Sequence, residues 1–248
     1  MRARWRAAAW AAATAIGLAA PGGGVAGGPV SAQRPSASPS PSPGSDEGQY
    51  GNPPDLDTYI AQLSSPARDA WQKPDQVVAA LGLKRGQTAC DIGSGPGYFT
   101  LRLARAVGPK GFVYAVDVEA RMLQALRDRL DKAGVHNVAP VLAMADDPLL
   151  PPAACDLILV VDTYHQFPDR TAYLERLRRA LKPRGEIVNI DYHRRPTPMG
   201  PPLDHRVARE AFLDEAKAAG LSLVRETGFL PYQYFLVLRA AAHPGRKG

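Results

Sequence analysis

An aspartate, Asp91, stands two residues ahead of three glycines at alternate positions, Gly93, Gly95 and Gly97, with Ser94 between the first two. A turn of this composition can pass close to a bound molecule, because no Cβ stands in the way. Its G-x-G-x-G spacing differs from the G-x-G-x-x-G that seats a pyrophosphate at a helix N-terminus. A carboxylate beside a diphosphate would repel it, whereas the same carboxylate suits a ligand with an ammonium group and no phosphate. About twenty positions beyond Gly97, Asp117 ends the next apolar run, where an acid accepts from a ribose diol. A second reactive group is Asp162-Thr163-Tyr164-His165-Gln166-Phe167. His165 titrates near neutrality and could take a proton from a hydroxyl or amine, or it could merely cap the helix that Asp169 and Arg170 begin.

These residues need a scaffold that brings their loops together, and the hydrophobic pattern supplies one. Thr88 to Ile92 reads as a buried parallel strand, and Tyr98 onward as a helix stopped by Gly108-Pro109. Further strands are expected at Phe112 to Val116, Val138 to Leu142, Asp156 to Val161 and Glu186 to Ile190. Between them lie helices at Glu119 to Ala133, closed by Gly134, and at Arg170 to Leu181. A helix from Leu203 to Ala219 and a hairpin of Leu221 to Arg225 with Tyr232 to Leu238 complete the pattern. Upstream, Asp57 to Trp71 makes a short amphipathic helix broken at Pro66, a second helix spans Asp75 to Leu81, and Trp71 is expected at the sheet edge. Ligands of open α/β sheets gather beyond the carboxyl ends of the strands, which is where both reactive groups fall.

With Leu-Lys-Pro-Arg-Gly at Leu181 to Gly185, the sequence resembles the class I S-adenosylmethionine-dependent methyltransferases over roughly Leu81 to Leu238. That resemblance implies an α/β, three-layer Rossmann-like fold with a seven-stranded, mostly parallel sheet ending in an antiparallel hairpin. It implies S-adenosyl-L-methionine as cofactor, the methionine part cradled by Asp91, Gly93, Ser94, Gly95 and Gly97, and the ribose held by Asp117. Asp146 would meet the adenine, with Asp147 a close competitor, and Asp162 would stand at the fourth strand's tip. His165 and Tyr164 are then the catalytic candidates, Tyr164 to orient the acceptor or place its ring near the sulfonium. Arg184 departs from the pattern, since relatives often carry a glycine there. Metal-dependent O-methyltransferases of the same fold hold a divalent cation with acids at the places of Asp162 and Asp191. Their pattern continues with Asn where this chain has Tyr192, and no metal is expected.

Composition narrows the alternatives. The chain of 248 residues carries a net charge of +6, three of whose positive charges are Arg2, Arg4 and Arg6, leaving +3 elsewhere. With no basic stripe interleaved with aromatics, nucleic acid is not an expected partner. Residues 1–32 read as a secretory signal, with the apolar run Ala7 to Ala20 and a Val30-Ser31-Ala32 cleavage site, so export to the periplasm or cell envelope is expected. An uncleaved anchor or a cytoplasmic protein is the alternative; the apolar run is too short for a stable span. Residues 33–50 form a Pro/Ser-rich linker, 51–240 the single catalytic domain and 241–248 a tail. The resemblance implies that the strands of Cys90 and Cys155 are neighbours, so a bridge is conceivable, but the two fall at different heights and are expected to be buried free thiols. The activity expected is methyl transfer to a small-molecule acceptor. An RNA or protein methyltransferase, or an exported cofactor-binding protein without turnover, is the alternative, and the oligomeric state stays open.

Overall fold

The computed structural model describes residues 52–241; the expected signal and cleavage site, the expected Pro/Ser-rich linker and nearly all of the expected tail lie outside the described residues. Seven strands form one sheet: β1 Thr88–Ile92, β2 Phe112–Asp117, β3 Val138–Leu142, β4 Cys155–Val161, β5 Leu181–Tyr192, β6 Leu221–Thr227 and β7 Gln233–Ala240. Their order is β3-β2-β1-β4-β5-β7-β6, with β1 to β5 parallel and β7 antiparallel to both its neighbours. The chain winds outward from β1 to β3 and then restarts at β4 on the other side of β1. That reversal opens a crevice between the tips of β1 and β4.

Helices cover both faces. On one, α3 (Pro74–Leu81), α4 (Thr100–Val107) and α5 (Ala120–Ala133) bury Val77, Leu103, Leu123 and Leu126 near Ala89, Val113 and Ala115. On the other, α6 (Arg170–Ala180) and α7 (Arg209–Ala218) bury Leu174, Leu177 and Phe212 with Ile92, Ile158, Ile187 and Leu236. β4 is buried on both faces, which is why its sequence is a continuous apolar run. Two further helices, α1 (Leu56–Ser64) and α2 (Asp69–Gln72), flank a 3-10 turn at Pro66–Arg68, so Pro66 does break the segment as its chemistry requires.

Two expectations need correction. Cys90 and Cys155 are joined as a disulfide, with Cα atoms 6.1 Å apart, rather than being free thiols. A register irregularity between Cys155 and Leu157 interrupts the alternation of β4 and turns Cys155 onto the face of Ile158, where Cys90 also points. Such a bulge leaves no mark in an apolar run. The helix expected from Leu203 begins at Arg209, because Leu203–His205 form only a 3-10 turn and Arg206 is drawn back toward Pro201, in the Pro- and Gly-rich stretch Pro196 to Pro202.

Candidate active site

The glycine turn closes the end of β1, and its three glycines serve different purposes. A Cβ on Gly93 would stand 2.2 Å from Thr163 Oγ1, and one on Gly97 would stand 2.3 Å from Leu126 Cδ1. Those two glycines let the tip of β4 and helix α5 approach the turn. Gly95 alone has room, its nearest neighbour being Leu63 Cδ1 at 3.6 Å. The Gly95 N–H donates to Asp117 Oδ2 at 2.7 Å, and Glu119 N–H donates to Oδ1 at 2.9 Å, so Asp117 is tied to the turn across the β1/β2 tips. Ser94 Oγ is buried with no hydrogen-bond partner among the described residues. A buried hydroxyl left this way is an open socket for a ligand.

Electrostatics set the preference of that socket. Burial raises the Asp91 carboxyl to about 7, opposed by the Thr100 hydroxyl that donates to its Oδ2 at 2.6 Å. Asp117 is raised by burial to about 6, against the pull of its backbone donors. Asp162, at the end of β4, is raised by burial and then by the nearby Asp191 carboxylate. Three carboxyls whose ionisation burial resists favour a cationic guest. Asp146 and Asp147 follow β3 and both lie near Arg176, at 3.6 and 3.5 Å. Asp147 Oδ1 also accepts from Leu149 N–H at 2.9 Å, while the Asp146 side chain is 60 % exposed and is the more accessible of the two.

At the tips of β4 and β5 lies a buried polar chain. Gln72 Nε2 donates to Gln233 Oε1 at 2.8 Å, and Gln233 Nε2 donates to Asp162 Oδ1. His165 Nδ1 is 3.3 Å from Asp191 Oδ2, and both residues are buried. Burial pulls the imidazole pKa down, but the Asp191 charge and hydrogen bond outweigh it and hold His165 above its ordinary value. His165 does not cap the following helix, for Asp169 Oδ1 accepts from Ala172 N–H and does so. Asp162 adopts a left-handed backbone, φ 53°, a strain that non-glycine residues show at functional positions. Among the described residues no group of three or more His, Cys, Asp or Glu is arranged to hold a metal ion.

Tyr164 points to the α6/α7 side of the sheet. Its hydroxyl donates to Glu215 Oε2 at 2.5 Å, and its ring packs edge-on against Phe212 at 4.7 Å within the α6/α7 core. Consecutive residues of the 3-10 turn point apart, so His165 reaches Asp191 while Tyr164 is spent on α7.

A roof completes the site. Tyr59 of α1 is close enough to Asp162 and Asp117 for both to add to the burial that raises its phenol to about 12. Trp71 lies 5.9 Å from the Tyr192 ring and 6.4 Å from Tyr232, over the strand tips rather than at the sheet edge. Arg206 fixes the loop that follows β5, donating to the carbonyls of Pro201 (2.7 Å), His193 (3.1 Å), Arg195 (2.7 Å) and Met199 (3.2 Å). Arg194 and Arg195 bond outward to Leu203 and Pro231 carbonyls and do not converge on an anion site. Sequence reasoning missed Tyr59, Gln72 and Gln233. A glutamine between Tyr232 and Tyr234 in an apolar run was the one available signal for Gln233, and Gln72 left none.

A seven-stranded sheet with this order, a glycine turn tied to an acid at the β2 tip, and buried acids at the ends of β1, β2 and β4 define a class I S-adenosylmethionine-dependent methyltransferase. Residues 83–220 match the family described as "Methyltransferase domain", and the chain belongs to it. It is similar to a solved S-adenosylmethionine-dependent methyltransferase from Aquifex aeolicus, at 28 % identity and a TM-score of 0.71, over 74 % of this chain and 98 % of that one. Among curated relatives, a demethylmenaquinone methyltransferase of Geobacillus stearothermophilus is 29 % identical over 49 % of this chain and 51 % of its own length. A ubiquinone/menaquinone biosynthesis C-methyltransferase, UbiE, of Vibrio vulnificus is 33 % identical over 45 % of this chain and 43 % of its own. The chain thus spans about half the length of the curated relatives it matches. The buried Ser94 hydroxyl, the room beside Gly95 and the buried acids Asp91 and Asp117 fit S-adenosylmethionine.

Proposed function

We propose that the protein methylates a small-molecule acceptor whose reacting position is activated by loss of a proton, and that His165 takes that proton. The observation that carries this reading is the buried contact of His165 Nδ1 with Asp191 Oδ2 at 3.3 Å, beside Asp162 at the crevice. Bound S-adenosylmethionine supplies an already activated methyl group, so the chain's own tasks are to hold the acceptor in line and to deprotonate it. Asp191 orients the imidazole through Nδ1, which leaves Nε2 to meet the acceptor. The same base serves an oxygen acceptor or a ring carbon made nucleophilic by ionising its hydroxyl. Trp71 and Tyr232 offer flat apolar walls, and the names of the curated relatives, a demethylmenaquinone methyltransferase and a ubiquinone/menaquinone biosynthesis C-methyltransferase, support a ring compound.

The experiment is methyl transfer from labelled S-adenosylmethionine to a panel of hydroxylated ring compounds, with RNA and protein as parallel acceptors. Turnover of a small compound that His165→Gln abolishes, with cofactor binding retained, is the expected result. Labelling of only RNA or protein, or cofactor binding without transfer to anything, would replace this reading with one of its alternatives.

We also infer an exported protein. The leader-like residues 1–32 and a disulfide in the core support an oxidising compartment. Fractionation followed by N-terminal sequencing tests it, and a soluble cytoplasmic protein with both thiols reduced would defeat it.

A further inference from the structure

An arginine stands beside the crevice and outside the glycine motif. Arg68 ends the 3-10 turn between α1 and α2, half-buried, with Nη1 donating to the Leu63 carbonyl at 2.7 Å and Nη2 reaching Gln72 Oε1 at 3.4 Å. Its guanidinium lies 4.2 Å from the centroid of Tyr98, the residue after Gly97, and 5.8 Å from that of Trp71. Arg102 also rests on Tyr98, at 4.6 Å, but Arg102 pairs with Asp69 at 3.2 Å and Asp75 at 3.5 Å. Asp69, adjacent to Arg68 in the chain, is taken by Arg102 and by the Tyr98 hydroxyl. Among the described residues Arg68 makes no ion pair.

Its position ties it to the cofactor crevice from two sides. The Leu63 whose carbonyl it binds is the residue whose side chain stands over Gly95. On the other side, its charge pulls down the pKa values of Asp162, Tyr59 and Tyr192. The guanidinium therefore sits between the glycine turn and the tips of β4 and β5. A half-buried guanidinium whose fork meets one carbonyl and one amide lacks the partner that its geometry fits, a carboxylate taken by parallel N–H donors.

We propose that Arg68 binds the carboxylate of the methionine moiety of S-adenosylmethionine, while the buried acids of the crevice take its cationic groups. The glycine turn and the 3-10 turn then read a zwitterion, each charge by its opposite. This rests on the reading of the crevice as the cofactor site. It adds to it a residue from outside the glycine motif, supplied by the segment between the two N-terminal helices.

Decarboxylated S-adenosylmethionine keeps the sulfonium and the ammonium and lacks only the carboxylate, so isothermal titration of the full chain with both compounds isolates the contact. Wild-type protein is expected to bind S-adenosylmethionine about 10- to 100-fold more tightly than the decarboxylated compound, the range of a hydrogen-bonded charge pair. Arg68→Gln should bind S-adenosylmethionine weaker by that factor, bind the decarboxylated compound as wild type does, and so lose the discrimination; Arg68→Lys should restore part of it. Equal affinity of wild-type protein for the two compounds, or an Arg68→Gln variant that still discriminates or loses both equally, overturns the assignment of Arg68 alone. Wild-type protein that binds neither overturns the cofactor site and the proposal with it.

Discussion

Nδ1 of His165 and Oδ2 of Asp191 stand 3.3 Å apart, the first four residues beyond β4 and the second next to last in β5. Two strand ends that are neighbours in the sheet thus bring together residues 26 positions apart in the chain. A base must be neutral to accept a proton, and Asp191 holds His165 protonated above its ordinary range. The rate should therefore rise with pH along a limb whose apparent pKa exceeds 6.5. Asp191→Asn should move that limb to lower pH, and His165→Gln should reduce kcat by roughly 10²- to 10⁴-fold with cofactor affinity intact. A pH–rate profile of the three proteins checks this; a limb that ignores Asp191→Asn removes the pair from the mechanism.

Cofactor affinity should itself depend on pH. Asp91 at about 7 and Asp117 at about 6 carry protons that a cationic ligand displaces, so binding releases protons and strengthens as pH rises toward 7. Between pH 7.5 and 5.5 the affinity should fall roughly tenfold or more. Stability of the ligand-free protein runs the other way. Both acids have folded pKa values above the ordinary 3.8, so the folded state binds the extra protons and loses stability as pH rises from about 4 to about 7. Titrations in buffers of different ionisation enthalpy count the protons, and an uptake in place of a release would contradict the assignment.

Two glycines of one turn should answer differently to the same substitution. Gly93→Ala drives a methyl into Thr163 from 2.2 Å and should destabilise the fold, whereas Gly95→Ala meets only Leu63 at 3.6 Å. At φ 52° the second still carries about 1 kcal/mol of backbone strain, small beside the loss of ligand it causes. Thermal melts with and without S-adenosylmethionine separate the two, the cofactor-induced rise in Tm being lost in Gly95→Ala.

The disulfide makes a third contrast. Replacing Cys155 by Ala should cost about 2–4 kcal/mol, since the bond closes a long loop across the sheet. Both cysteines are fully buried, so a reductant should act on the native protein only as fast as it opens. Mass measurement of the unreduced, alkylated chain checks the bond directly, and two alkylated thiols in protein made under oxidising conditions would refute it.

Arg184 holds φ 69°, a left-handed conformation that favours glycine over arginine. Arg184→Gly should stabilise the protein by about 0.5–1 kcal/mol, the left-handed strain less the added freedom of the unfolded chain. A rise in Tm of about 2–4 °C per kcal/mol is the measure, with activity unchanged.

Much of the cofactor half is legible in the amino-acid sequence. Asp91, the glycines and Asp117 lie on one strand-turn-helix-strand unit, so their spacing along the chain already fixes their spacing in space. Asp146 and Asp147 cannot be ranked from sequence, because only the hydrogen bond to Leu149 distinguishes them. Tyr164 and His165 are neighbours that a 3-10 turn points in different directions, toward Glu215 and toward Asp191. Nothing in a hexapeptide says which will face the crevice.

What the sequence determined by itself is local and periodic: the strands, most of the helices and the glycine turn, because apolar period and turn chemistry act over a few residues. The tertiary structure alone decided which distant side chains meet. It set the Cys90–Cys155 bond through a bulge, the Gln72–Gln233–Asp162 chain through three separate elements, and the lone charge of Arg68 beside the crevice. Contacts of that kind depend on strand register and on how loops are pinned, and neither is written in the pattern of a single segment.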